Sequence, residues 1–467
     1  MGIAFLLTQA GNREVFTAAA VLAAGVLGLG FAFLMPPFQF NDEHAHFARA
    51  YQISRGDFAG RPDPRLPSAL VASLQRYPTD YVAPPGRHAH RADLFDGGSG
   101  DDTPPVLVRG LSLPRFFSSG ILACQVYWPV VYLPAATGIR VARRLNLSPV
   151  GMLYAARAAN VLFFMAALFA ALRLAPTYRA LITCLALMPM TVLQSAAISA
   201  DQVTILFALL GFGFLLHTRE RPVSRGYLLA FLLFVPVWTL CKNSFWALPL
   251  LFLIPGDRFG GKAKRAAYVA AASLLTIAAV LAWGAVVHDA AAAMSAGGIN
   301  SAIDAAANVR ALAAHPLKVF HDLLIAPGRE ALRLALQFVG AVGWNFYRIP
   351  LRPLYLALLL AVAVLERNPK PLSLGERVFL FSVAVGALAG TYAVIFAVDG
   401  TFRNGHYSYW SAGVQGRYAI PYCLAGLLAM QPRRAGAASP LLAPTVLSVS
   451  TVYGLLALGS VARHFYL

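Results

Sequence analysis

Long apolar runs free of charge alternate with short basic segments along most of the chain. Residues 15–35, 180–200, 266–287, 378–398 and 435–462 contain no Asp, Glu, Lys or Arg. Each is long enough for the roughly 20 residues a helix needs to cross a hydrocarbon core. Shorter apolar stretches bounded by Pro, Gly and charge extend the pattern. The predicted spans are 15–35, 150–172, 180–197, 201–216, 226–241, 244–255, 266–287, 351–365, 378–398, 417–431 and 441–462. The expected fold is all-α: one polytopic transmembrane helical bundle of about 11 spans (range about 10–13 at this window length), with residues 1–467 as a single integral membrane domain.

Composition agrees. The 467 residues are 58% hydrophobic and 12% charged, about half the charged share of a soluble domain. The net charge of +18 then reads as topology, since short cytoplasmic loops collect Lys and Arg. With the N-terminus inside, the inner segments hold 15 bases against five acids, while the short turns at 198–200 and 242–243 hold only Lys242. A nucleic-acid binder would gather its bases on one wet face, so no nucleic-acid partner is expected. The first apolar run ends in Met35-Pro36-Pro37 without a cleavage pattern and reads as a retained anchor. Cys124, Cys184, Cys241 and Cys423 show no ligand spacing and read as core residues.

Three polar segments fall outside in this topology: 36–149, with juxtamembrane helices; 288–350, with an amphipathic helix near 328–342; and 399–416. After the first span runs Asn41-Asp42-Glu43-His44-Ala45-His46. Asn41 or Asp42 can cap a helix there, and Asp42 neighbours His46 at i, i+4. One reading is a capped interfacial helix. The other is a carboxylate and imidazole cluster facing an outer cavity, where Asp42, Glu43 and His46 could also meet a divalent metal ion. His88 and His90, between Arg87 and Arg91, read as solvated loop.

Asp201 stands alone in an apolar stretch. Ser199 and Gln202 form a capping-box pattern around it, yet an ionisable group in a span is a functional candidate by default. Lys242 is the sole charge between Arg225 and Asp257, either snorkelling at a turn or aimed at a lipid phosphate. Arg417, between Gln415 and Tyr418 at the start of an apolar run, has the planar fork for a phosphate. Tyr409 and Trp410 suit an aromatic belt.

Four stretches together resemble bacterial predicted integral membrane proteins of the C-class (GT-C) glycosyltransferase superfamily: Pro-Pro with Asp-Glu-x-x-His-Phe within 36–47, Tyr-x-Pro-x-x-Tyr-x-Pro at 127–134, Ser-x-Asp at 199–201 and Val-Gln-Gly-Arg-Tyr-x-x-Pro at 414–421. The resemblance implies a GT-C-like bundle in the bacterial inner membrane with its active site facing the periplasm. It also implies a polyprenyl-phosphate-linked sugar donor and a glycan or lipid acceptor. Asp42 or Glu43 would then be the base, and Lys242 and Arg417 the phosphate cations. His46, Asp201, Gln415 and Tyr418 would support them, and Tyr409 or Trp410 would stack on sugar. A lipid-linked saccharide flippase or a non-catalytic envelope-assembly protein are the alternative classes. The flippase predicts polar groups near the bilayer midplane.

Overall fold

The computed structural model describes residues 13–77, 93–94, 98–100, 103–107, 115–296, 305–324, 328–342, 347–403, 406–409, 414–432, 435–436 and 439–466. Helix α1 (Arg13–Leu34) stops where Pro36 and Pro37 break it. The chain then builds a helical cap over one end of the bundle. All twelve residues of α2 (Glu43–Ser54) are buried. A small layer of α3 (Ser68–Arg76) and the ribbon β1 (Arg65–Pro67) with β2 (Pro105–Leu107) lies nearby. Helices α4 (Arg115–Cys124) and α5 (Leu133–Arg144) pack directly on α2. Helix α2 is thus polar in composition yet enclosed by protein along its whole length.

Ser148 accepts the Gly151 N–H at 3.1 Å and Pro149 fills the first turn of α6 (Pro149–Leu174). Helix α6 packs on α1, on α5 and on α9 (Ala200–Glu220). Gly138 permits the α5 contact, because a Cβ there would come within 2.8 Å of the Ala156 Cα. Between them, α7 (Arg179–Ala186) and α8 (Pro189–Ala196) meet at a 61° bend just before Pro189. After α10 (Arg225–Leu240), residues 244–255 return as the four-residue α11 (Ala247–Leu250) and a 3-10 turn instead of the continuous helix expected there. Pro249 and Pro255 at its end keep a regular ladder from forming.

Helix α12 (Lys262–Val286) is followed by α13 (His288–Ala296), α14 (Ala305–Ala314), α15 (Pro316–Leu324) and the amphipathic α16 (Gly328–Val339), as its sequence pattern predicts. A two-residue ribbon, β3 (Ala341–Val342) with β4 (Tyr347–Arg348), leads into α17 (Arg352–Leu365). Helix α18 (Leu374–Asp399) opens with a Ser373–Glu376 capping box and runs into the hairpin of β5 (Gly400–Arg403) and β6 (His406–Tyr409). Helices α19 (Ile420–Ala429) and α20 (Leu442–Tyr466) complete the fold.

Among the described residues, six helices (α1, α6, α9, α12, α18 and α20) are long and apolar enough to cross a membrane, and a seventh span results if α7 and α8 count as one. Helices α10 and α17 are apolar but shorter. The predicted span at 417–431 is a 3-10 turn, Gly416–Ala419, and the ten-residue α19.

Short basic loops gather at one end. At the end remote from the cap, Arg13 donates to the Arg173 carbonyl at 2.6 Å and Arg173 pairs with Glu14 at 2.7 Å. There, too, Arg219 pairs with Glu376 at 2.9 Å, Arg258 reaches the Arg219 carbonyl, and Arg377 donates to the Ala429 carbonyl. Glu366 caps α7 by accepting the Ala180 and Leu181 N–H groups at 3.0 and 2.8 Å. Arg13, Arg173, Arg219, Arg258 and Arg377, five of the bases that the charge pattern assigns to one side, thus share one end, while Arg433 and Arg434 lie outside the described residues.

Candidate functional site

At the cap end, four ionisable side chains from four separate segments converge. Asp201, in the first turn of α9, receives Lys242 Nζ at 2.5 Å on one carboxylate oxygen and Arg417 Nε at 3.0 Å on the other. Arg417 also reaches Asp42 at 3.9 Å and donates to the Gln415 side chain. The Tyr418 ring sits between the two cations, 4.8 Å from Lys242 Nζ and 5.1 Å from the Arg417 guanidinium. Arg417 and Asp201 are sunk in protein, with 4% and 9% of their side-chain area accessible, whereas Asp42 keeps 37% and Lys242 24%. The outward-facing pair of the cluster is therefore one carboxylate and one ammonium.

Backbone strain accompanies that pair. Asp42 has φ 57° and Lys242 φ 49°, both left-handed, and Phe38 in the same loop as Asp42 has φ 60°. Lysine gains nothing local in that region, so packing holds it there. Asp42 occupies the N-cap position of α2 but makes no side-chain cap bond, which corrects the capping expectation and leaves its carboxylate to Arg417. Burial pushes the Asp42 carboxyl above its ordinary value while Arg417 and Lys242 pull against it. For Lys242, burial would lower the ammonium, but Asp201 holds it above the ordinary lysine value.

The capping box expected around Asp201 is absent. Ser199 is the N-cap of α9 without a side-chain bond, and Gln202 instead donates to the Asn160 carbonyl at 3.2 Å. Asp201 is thus held by cations from other segments and not by its own helix start.

Beneath Asp42, His46 Nδ1 lies 2.7 Å from the Tyr132 hydroxyl and 3.3 Å from Cys124 Sγ, with Tyr127 stacked obliquely at 5.9 Å. Burial, reinforced by Lys242 and Arg417, holds the His46 imidazole down to about 3 and so neutral, and burial lifts the Cys124 thiol to about 12. This brings the Tyr-Pro segment, a 3-10 turn at Pro129–Tyr132 leading into α5, against α2. Cys124, read from sequence as inert core, is a neighbour of the site.

Glu43 goes elsewhere. Its carboxylate takes a two-pronged bond from Arg157 Nε and Nη2 at 2.8 and 2.6 Å, with both side chains fully buried. The remaining Arg157 N–H groups donate to the carbonyls of Ala32, Met35 and Pro36 at 3.0, 2.6 and 3.0 Å, so all five guanidinium donors are used. Arg157 stitches the end of α1 to the start of α2 and closes the loop carrying Phe38 and Asp42. Sequence reasoning missed it. The available signal was a lone charge in the 150–172 apolar run, the same signal that picked out Asp201.

Asp42, Glu43 and His46 therefore face different partners, and no group of three or more His, Cys, Asp or Glu side chains among the described residues converges as a metal site. Tyr409 ends β6, and Trp410 lies outside the described residues, as do His88 and His90. In the 414–418 motif each residue has a part. Val414 is buried against Phe396 and Tyr392, and Gly416 lets the turn lie on α16, where its N–H reaches Gln337 Oε1 at 3.3 Å. A Cβ at Gly416 would strike the α16 backbone at Phe338 and Gln337.

No curated protein and no solved structure matches this chain. A family model described as "Predicted membrane protein (DUF2142)" matches residues 26–453, nearly the whole chain, and the chain belongs to that family of predicted membrane proteins.

Proposed function

We propose that the protein is a membrane glycosyltransferase of GT-C type, moving a sugar from a polyprenyl-phosphate-linked donor to an envelope glycan or lipid acceptor with inversion. The observation that supports it is the convergence of Asp42, Lys242, Asp201 and Arg417 at one end of an apolar bundle, with Asp42 and Lys242 outermost. In this reading Asp42 takes the proton of the acceptor hydroxyl. The hydroxyl oxygen forms the new bond to the anomeric carbon from the face opposite the phosphate. The anomeric C–O bond breaks, and its electron pair leaves with the polyprenyl phosphate, whose charge Lys242 meets. Arg417 and Asp201 lie deeper and act as positioning residues, Arg417 aiming Asp42 and Asp201 fixing both cations. Glu43, committed to Arg157, is not the base.

In this reading the site belongs on the outer membrane face, because the short basic loops occupy the opposite end. Eleven passes fit the alternation of contacts between the two ends if α10, the return at 244–255, α17 and α19 are counted. The flippase alternative needs its polar groups at the bilayer midplane; these lie at helix ends. The test is purified protein in nanodiscs with a panel of polyprenyl-phosphate sugars, following release of polyprenyl phosphate. Asp42→Asn is expected to lower turnover at least about 100-fold with donor binding retained. Undiminished turnover in that variant rules Asp42 out as the base.

A further inference from the structure

Beside the ionic cluster lies a second, uncharged group of polar side chains. Asn160 donates its Nδ2 to the Ala197 carbonyl at 2.8 Å, and Gln202 donates its Nε2 to the Asn160 carbonyl at 3.2 Å. Each amide thus spends an N–H on backbone. Asn160 Oδ1, Gln202 Oε1 and Ser199 Oγ are buried with no hydrogen-bond partner among the described residues, as is Asn41 Nδ2. These residues are 2%, 1%, 6% and 7% exposed. Ser199 and Gln202 stand two and one positions from Asp201, and Asn41 precedes Asp42, so the orphan atoms belong to the segments that carry the two carboxylates and to Asn160, which Gln202 contacts.

An orphaned buried polar atom is costly, and two amide oxygens, one hydroxyl and one amide donor without partners match a neutral ligand that offers several hydroxyl groups. A second charge is not what they fit: Asp201 already binds both cations. We propose that Asn160, Ser199 and Gln202, with Asn41 opposite, form a hydroxyl-reading subsite that receives the ring hydroxyls of the sugar whose phosphate Lys242 meets. This rests on the glycosyl-transfer reading and adds to it the residues that select the sugar. A bare polyprenyl phosphate satisfies Lys242 and none of these four; a sugar-bearing one satisfies both.

The test uses the full chain in phosphatidylcholine nanodiscs, titrated with decaprenyl phosphate and with decaprenyl phosphate bearing glucose, mannose, galactose or arabinose. At least one sugar lipid is expected to bind about tenfold or more tightly than the bare lipid, the effect of one or two satisfied hydrogen bonds. Gln202→Met and Ser199→Ala are each expected to reduce that preference to about threefold or less, leaving bare-lipid affinity unchanged. Because Ser199→Ala deletes only an orphan atom, its Tm should hold or rise while the preference falls, a combination that a purely structural role would not give. Lys242→Met should weaken both lipids equally. Equal wild-type affinity for bare and sugar-bearing lipids overturns the subsite and leaves transfer chemistry standing, as does a preference that survives both substitutions. No binding of any of these lipids overturns the subsite and the glycosyl-transfer reading together.

Discussion

Arg157 shows how little of a site its own neighbours in sequence reveal. Asp42, Asp201, Lys242 and Arg417 were legible because each is a lone charge or part of a motif at an apolar boundary, and the structure joins them through contacts such as Arg417 to Asp201. Arg157 was hidden inside a predicted span, and its partner Glu43 lies 114 residues away. Pairing across that distance has no local signature. The capping box at Ser199 failed for a related reason: local bonding patterns compete with tertiary ones, and Asn160 claimed Gln202. Removing one member of a buried pair leaves an uncompensated charge, so Arg157→Met should cost about 3–5 kcal/mol in an unfolding titration. The double variant Arg157→Met, Glu43→Leu should regain much of that stability. It should not regain turnover, because the carbonyls of Ala32, Met35 and Pro36 stay unclamped and the Asp42 loop is released. Full turnover in the double variant would show that the pair only stabilises.

Among the elements, the Gly416–Ala419 turn and α16 form the joint that sets Arg417. The long apolar helices and the amphipathic α16 follow their hydrophobic pattern because one face, or every face, meets an apolar surface. Segment 244–255 did not, since its prolines outweigh its apolar content, and the full burial of α2 by α4 and α5 is invisible in its polar sequence. At the joint, the Gly416 Cα lies against α16 backbone, which cannot rotate away as a side chain would. Gly416→Ala should push the turn off α16 and shift Arg417 relative to Asp42 and Asp201. Overpacking of this kind costs about 1–3 kcal/mol, and the loss of turnover should exceed what that stability change accounts for. Gly426→Ala is the control: a Cβ there meets only the Ala384 Cβ, at 3.5 Å. Equal activity in the two variants would uncouple the joint from the site.

For the whole molecule, the arrangement of charge makes a claim about direction. Arg13, Arg173, Arg219, Arg258 and Arg377 share the end remote from the cap, and an excess of bases is what holds an end on the cytoplasmic side. The ionic cluster would then open outward, where a lipid-linked donor on the outer leaflet could reach Asp42 and Lys242. Cysteine labelling can decide this with little background, because Cys124, Cys184 and Cys241 are buried and Cys423 is half-buried. Arg61, 62% exposed in the cap, and Glu14, 72% exposed at the remote end, offer one reporter for each end. In intact cells a membrane-impermeant maleimide should label Arg61→Cys and spare Glu14→Cys until the membrane is permeabilised. The opposite pattern would place Asp42 in the cytoplasm, beyond the reach of an outer-leaflet donor, and glycosyl transfer on the outer face would have to be abandoned even with the geometry of the cluster intact.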